Sequence, residues 1–299
     1  MNFTMARNLF FVLALFWLNL GLLQGQDLEK LLDEAVDEGT NYTSATFKST
    51  RIVTGHSVER MPKGQLDFRI SHRFGLINSG AYNFFGLDQA NIHLGLEYGI
   101  NNWLMVGYGR GTFEKTYDGF LKFSILRQST GKKTMPISLS YFNSLAINTL
   151  RWEIPDTKLN FWNRASFVHQ ILVARKFNER FSLELNPTYV HRNMVATELD
   201  PNDLFALGAG ARMKLSRRIS INIEYYYVVP PINDYRSEKT YDPLSIGFDI
   251  ETGGHVFQLF FSNSLAMIEK GFIGETTGNW GNGDIHFGFN ISRVFNLSK

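Results

Sequence analysis

Residues 284–295 read DIHFGFNISRVF and alternate almost without exception. Ile285, Phe287, Phe289, Ile291 and Phe295 fall on one side of an extended chain; Asp284, His286, Gly288, Asn290 and Ser292 fall on the other. Successive side chains of a strand face opposite ways, so this is a strand with one oily and one wet face. About ten residues is also the length a tilted strand needs to cross a bilayer. The same pattern recurs along most of the chain, which is the signature of a transmembrane β-barrel.

The N-terminus agrees with that destination. Met1–Asn8 carries one basic residue, Arg7, and no acid; Leu9–Leu23 is almost unbroken in apolar residues, and Gly25 offers a small residue for cleavage. This order predicts a secretory signal peptide over 1–25. A membrane anchor is the competing reading, but the run is short and no basic stop-transfer cluster comes after it. The chain has no cysteine, which removes disulfides, thiol-linked lipid anchors and thiolate sites. No other segment resembles a membrane-spanning helix, so a membrane protein of this sequence must cross as a closed barrel. Aromatics at 14%, 26 glycines, charge at only 19% and a mean hydropathy of −0.15 suit alternating lipid-facing and lumen-facing rows. A net charge of +2 without a basic patch argues against nucleic acid as a partner.

Residues 26–45 form an acidic periplasmic leader. Within it Leu28, Leu31, Leu32, Ala35 and Val36 have helical spacing between mostly acidic neighbours, giving a short amphipathic helix or loose tail over 27–38. The barrel occupies 46–299. Period-two alternation or apolar runs place strands near 64–74, 89–98, 102–111, 116–128, 137–148, 165–176, 180–191, 204–214, 218–229, 244–251, 254–264 and 284–295. Tight turns at Gly99–Asn101, Phe177–Glu179, Ser216–Arg217 and Thr252–Gly253 alternate with long connections such as Gly75–Asp88, Leu150–Arg164, Pro230–Pro243 and Leu265–Gly283. Outer-membrane barrels keep short turns in the periplasm and long loops outside. The result is an all-β, antiparallel up-and-down barrel of twelve strands in the cell outer membrane, with both ends periplasmic. Phe47–Thr54 is a weaker strand candidate; if it joins the wall with a partner, the count becomes fourteen. Gly55–Gly64 suits an ordered turn that forms a periplasmic lid or enters the lumen as a plug.

Assigning the apolar rows to lipid leaves charged residues of both signs inside. The lumen-lining candidates are Asp67, Arg69, Arg73, Glu97, Lys122, Glu184, Arg212 and Glu224. They read either as a polar path that discriminates solutes by charge or as pairs that fill a narrow barrel, since unpaired interior charge is costly. Strands 102–111 and 165–176 are too continuously apolar to phase. Tyr98, Trp103, Tyr108, Tyr141, Tyr225, Tyr227 and Phe295 suit interfacial girdles.

Enzyme signals are poor: there is no G-x-S-x-G, H-E-x-x-H or P-loop. GYGRG at Gly107–Gly111 lies in a strand with no helix after it. Gly271–Gly283 has oxygen-rich residues that could hold calcium, but a flexible outer loop explains it better. Ser71 and His72 face opposite ways and cannot pair as nucleophile and base. The expectation leans away from an enzyme, with no catalytic residue, metal or cofactor.

Six phrases carry a family likeness: TGHSVERMPKGQLDFRISHRFG, GLDQANIHLGLEYGI, KTYDGFLKFSILRQ, NDLFALGAGARMKL, SIGFDIETGGHVFQLFFSNS and GFIGETTGNWGNGDIHFGFNISRVF. Over Thr46–Phe295 the chain resembles an uncharacterised family of β-barrel proteins from Bacteroidota, a domain of unknown function. The resemblance implies an outer-membrane barrel and brings no catalytic residue. Two functions stand as expectations. One is a monomeric, porin-like narrow channel or transporter for small polar solutes. The other is a closed barrel acting as scaffold or binding partner in a cell-envelope complex, through its outer loops or the 27–38 segment. Outer-membrane lipid is a partner in both.

Overall fold

The computed structural model describes residues 39–151, 160–231, 236–252 and 255–297. The signal peptide over 1–25 and the amphipathic segment over 27–38 lie outside the described residues. The wall is a closed barrel of twelve antiparallel strands. In chain order these are β1 (Gln65–Leu76), β2 (Ala90–Gly99), β3 (Leu104–Gly111), β4 (Tyr117–Leu126), β5 (Ser138–Ile147), β6 (Ala165–Lys176), β7 (Phe181–Arg192), β8 (Asp203–Lys214), β9 (Ile219–Val228), β10 (Leu244–Thr252), β11 (His255–Ser262) and β12 (His286–Asn296). Each strand pairs with its sequence neighbours, and β12 closes on β1 with Ile291 opposite Ile70 and Ser292 opposite Arg69. Closure removes the free sheet edges that lipid cannot tolerate. The long connections and the tight turns lie at opposite ends of this wall.

Alternation sets the two faces. On β1 Asp67, Arg69, Ser71 and Arg73 are buried, while Leu66, Phe68, Ile70 and Phe74 lie on the other face. Leu94, Leu96, Leu121, Leu185, Ile223, Phe248 and Phe261 are exposed along their strands, forming the apolar belt. Trp103, Tyr108, Tyr225, Tyr227 and Phe295 also face outwards.

Phe47–Thr54 does not join the wall, so the fourteen-strand alternative is corrected to twelve. The segment runs inside the barrel: Thr46, Phe47, Ser49 to Ser57 and Val58 are all buried. Phe47, Ile52, Val53 and Val58 cluster with Ala174 and Phe260 of the wall. The apolar alternation that mimics a strand therefore marks an internal core. The Leu265–Gly283 connection also departs from a flexible outer loop. It turns into the barrel and forms a short helix, α1 (Glu269–Gly274), in which every residue is buried.

The two unphased strands are explained by the same core. Met105 on β3 and Val168, Leu172 and Ala174 on β6 point inwards although apolar, and pack with Phe120 and Phe142 or with the inserted segment. Glycines make room for these rings. A Cβ on Gly107 would lie 2.0 Å from Phe120 Cε1, whereas one on Gly119 would meet nothing nearer than 3.6 Å. Gly107→Val should therefore destabilise the barrel by about 1–3 kcal/mol through overpacking. Gly119→Val should be neutral, because a β-branched residue suits a strand. Thermal midpoints from heat-modified gel mobility check the pair, and equal midpoints would contradict the packing account.

Candidate functional site

The inserted segment is a tight hairpin inside the lumen. Ile52 N–H donates to Gly55 O at 2.9 Å, Ser57 N–H donates to Thr50 O at 2.9 Å, and Arg51 bridges antiparallel to His56. Two residues at its tip, Val53 and Thr54, cannot complete a ladder with the wall. Buried backbone groups need partners, and here wall side chains supply them. Glu224 accepts from Val53 N–H at 3.1 Å and from Gly55 N–H at 3.0 Å. Glu184 accepts from Val58 N–H at 2.7 Å. Gln258 donates to Ile52 O at 3.2 Å and Asn290 donates to Val53 O at 3.0 Å.

All eight charged residues singled out in the sequence are buried. Lys122 Nζ donates to Glu59 O, Ser57 O and Thr50 O at 2.6, 3.0 and 3.4 Å. Arg69 Nη2 bonds Asp67 at 3.0 Å, Ser49 Oγ at 3.0 Å and Thr50 Oγ1 at 2.9 Å. Arg73 Nη2 donates to Thr54 Oγ1 at 2.7 Å, and its guanidinium lies 4.0 Å from the Phe260 ring centroid. Glu97 meets Arg51 at 3.2 Å, and Arg212 Nη1 donates to Ala45 O at 3.2 Å. Seven of the eight thus contact the hairpin or its flanks directly, and Asp67 does so through Arg69. Charge-assisted hydrogen bonds of this kind are roughly twice as strong as neutral ones.

The sequence reading missed the hairpin's own charge and its link to the outer loop. Arg51 reaches both Glu97 on β2 and Glu269 on α1, the latter at 3.4 Å. Arg51, which with Lys48 interrupts an otherwise apolar and hydroxyl-rich run over Phe47–Thr54, was the available signal. His56 was also missed. It is fully buried, with its ring 4.5 Å from Phe120 and 4.1 Å from Phe142. Two enclosed cavities beside the hairpin are about 10 Å³ each, water-sized.

Above α1 the barrel opens into an outer vestibule of about 1190 Å³, lined by residues from the long loops and the outer strand ends. Lys270 reaches into this lining and pairs with Glu114 and with Glu275, the latter at 2.8 Å. Burial works against the Lys270 charge, but the two carboxylates outweigh it and raise its pKa. At the rim Asp200 accepts from Ser237 N–H at 2.7 Å and Thr197 N–H at 3.0 Å, tying two outer loops together. Slight burial opposes its charge, yet these hydrogen bonds win and hold its pKa down at about 2.

The whole architecture has relatives. A family model described as a membrane bound beta barrel domain (DUF5777) matches residues 47–295. The NanC porin structure aligns over 78% of this chain and 100% of its own, at 9% identity and a TM-score of 0.50. The COG4313 outer membrane channel from Pseudomonas putida F1 aligns over 80% and 98%, at 14% identity and a TM-score of 0.46. Among curated proteins nothing matches the chain. The closed wall, its apolar belt and the membrane-bound family together place the protein in the outer membrane.

Glu224→Ala leaves two buried amides without an acceptor, at ~1–3 kcal/mol each. Hydrogen exchange at Val53 and Gly55 should then quicken by roughly one to two powers of ten while strand amides keep their protection. Unchanged exchange at both amides would contradict the role of Glu224. The Asp200 tie should be fully present above the ordinary carboxylate range and lost as pH falls towards 2, because its folded pKa lies below its unfolded one. Protection of the Ser237 amide should track that curve in the wild type and be flat with pH in Asp200→Asn.

Proposed function

The chain belongs to the membrane bound beta barrel domain family (DUF5777), and we propose that within this architecture it works as a gated, porin-like channel for small polar solutes. The observation that carries this reading is how the lumen is closed. The hairpin at 50–57 is not a strand of the wall; individual side chains hold it, each by one to three hydrogen bonds. Contacts of that kind can break singly without opening the barrel ladder. Withdrawing the hairpin would uncover Arg69, Arg73, Glu97, Lys122, Glu184 and Glu224, a polar lining of both signs beneath the outer vestibule. Twelve strands enclose a lumen between a filled eight-stranded barrel and an open porin, wide enough to need the hairpin as a filler.

The second reading is a permanently closed barrel that serves as scaffold or binding partner in an envelope complex, through its outer loops or the 27–38 segment. The water-sized cavities beside the hairpin favour it.

A reversible lock separates the two. Thr54 Oγ1 and Ser245 Oγ lie 3.5 Å apart, on the hairpin and the wall respectively, and the native chain has no cysteine. In planar bilayers the wild type should show stepwise conductance. Thr54→Cys with Ser245→Cys should be silent when oxidised and conduct again when reduced. If the wild type and a variant lacking 46–58 are both silent although the barrel is heat-modifiable, the channel reading fails and the scaffold stands.

A further inference from the structure

Among the buried side-chain atoms without a hydrogen-bond partner are one carboxylate oxygen of Glu275 and one guanidinium nitrogen of Arg192, and both residues line the outer vestibule. Glu275 bonds Lys270 through Oε1 at 2.8 Å, but its Oε2 has no partner. Arg192, at the outer end of β7, donates Nη2 to Pro201 O at 2.6 Å, while its Nε has none. Among the described residues no ion pair joins the two. Buried polar atoms are nearly always partnered, and leaving a charged one unmatched is expensive. Each has a companion of its own sign in the same lining. Glu114 shares Lys270 with Glu275, and Arg236, bonded to the Thr240 hydroxyl, acts electrostatically on Arg192.

This lining discriminates among solutes. A plain anion on the guanidiniums would face Glu114, Asp200 and Glu275; a plain cation on the carboxylates would face Arg192, Arg236 and the Lys270 ammonium already bonded there. A neutral polyol would bring no charge to either cluster. Guanidinium is shaped for a carboxylate, which it holds bidentately, and the Glu275–Glu114 pair, which already holds the Lys270 ammonium, is suited to a second ammonium beside it. The cavity is of ligand size rather than water size.

We propose that the vestibule binds a small zwitterion, a free amino acid or short peptide, with its carboxylate on Arg192 and Arg236 and its ammonium on Glu275 and Glu114. The site names the solute class of the channel reading, and it rests on that reading only for passage through the barrel. Binding itself is measured on the closed protein.

Calorimetry on the full chain in detergent, with heat-modifiability as the folding check, compares glycylglycine, N-acetylglycylglycine, glycylglycinamide and trehalose. Glycylglycine should bind, and each end-blocked form should bind roughly tenfold or more weakly, as loss of one charged hydrogen-bonded contact predicts. Glu275→Gln should weaken glycylglycine and leave the N-acetyl form unchanged; Arg192→Gln should do the same with respect to the amide. The blocked-ligand comparison uses the wild type alone, so a variant that misfolds does not remove the test. Absence of glycylglycine binding at millimolar concentration, or equal binding of a blocked form or trehalose, overturns the proposal. A silent bilayer with intact binding would sink the channel and leave this site standing.

Discussion

At membrane depth there is no water to accept an amide or donate to a carbonyl, and this structure meets that constraint in two ways. The wall meets it through sheet closure, with every strand paired on both sides and β12 returned to β1. The hairpin at 50–57 has no such ladder to join, so its backbone is satisfied by Glu224, Glu184, Lys122, Gln258 and Asn290 from the wall. Several of the charges inside the barrel serve that need. A carboxylate such as Glu224, which forms no ion pair among the described residues, is stabilised in burial by converging amide dipoles, and Lys122 by three carbonyls. Removing either side leaves the other desolvated and unmatched.

The apolar half of the lumen obeys the complementary rule. Phe47, Ile52, Val53 and Val58 need an apolar surface, so the strands they meet carry Ala174 and Phe260 inwards instead of polar residues. Close by, Met105, Phe120, Phe142 and Leu172 form a second apolar cluster with Met61. One side of the lumen is therefore packed like the core of a soluble protein, and the other is lined by polar and charged side chains. Dispersion contacts and directional hydrogen bonds hold the same eight-residue hairpin from different sides.

The wall was legible because its periodicity is strict and its turns are short on one side. The strands read from alternation lie within about two residues of their structural bounds at nearly every position. Asp284–Phe295, Gln65–Phe74 and Ser220–Tyr226 alternate cleanly since one face meets lipid and the other meets polar partners. Leu104–Gly111 and Ala165–Lys176 defeated phasing for a physical reason: both their faces are apolar, one against lipid and one against the inner core. Phe47–Thr54 misled in the opposite sense, because the apolar residues of a hairpin buried by a barrel look locally like those of a strand buried by a bilayer. The vestibule set of Arg192, Arg236, Glu114, Lys270 and Glu275 comes from four separate segments, and no local pattern joins them.

The position of the hairpin in the chain bears on how such a barrel can be built. It precedes β1, and its turn spans only a few residues, so its own contacts cost little loop-closure entropy. The seam between β1 and β12 joins segments more than two hundred residues apart and is the most non-local contact in the wall. A ring closed first would have to admit a charged hairpin through its mouth. A sheet that curls around a hairpin already formed meets its counter-groups as it closes, and the inner surface is never left charged and empty. On that second route the inserted segment serves as a mandrel for the barrel.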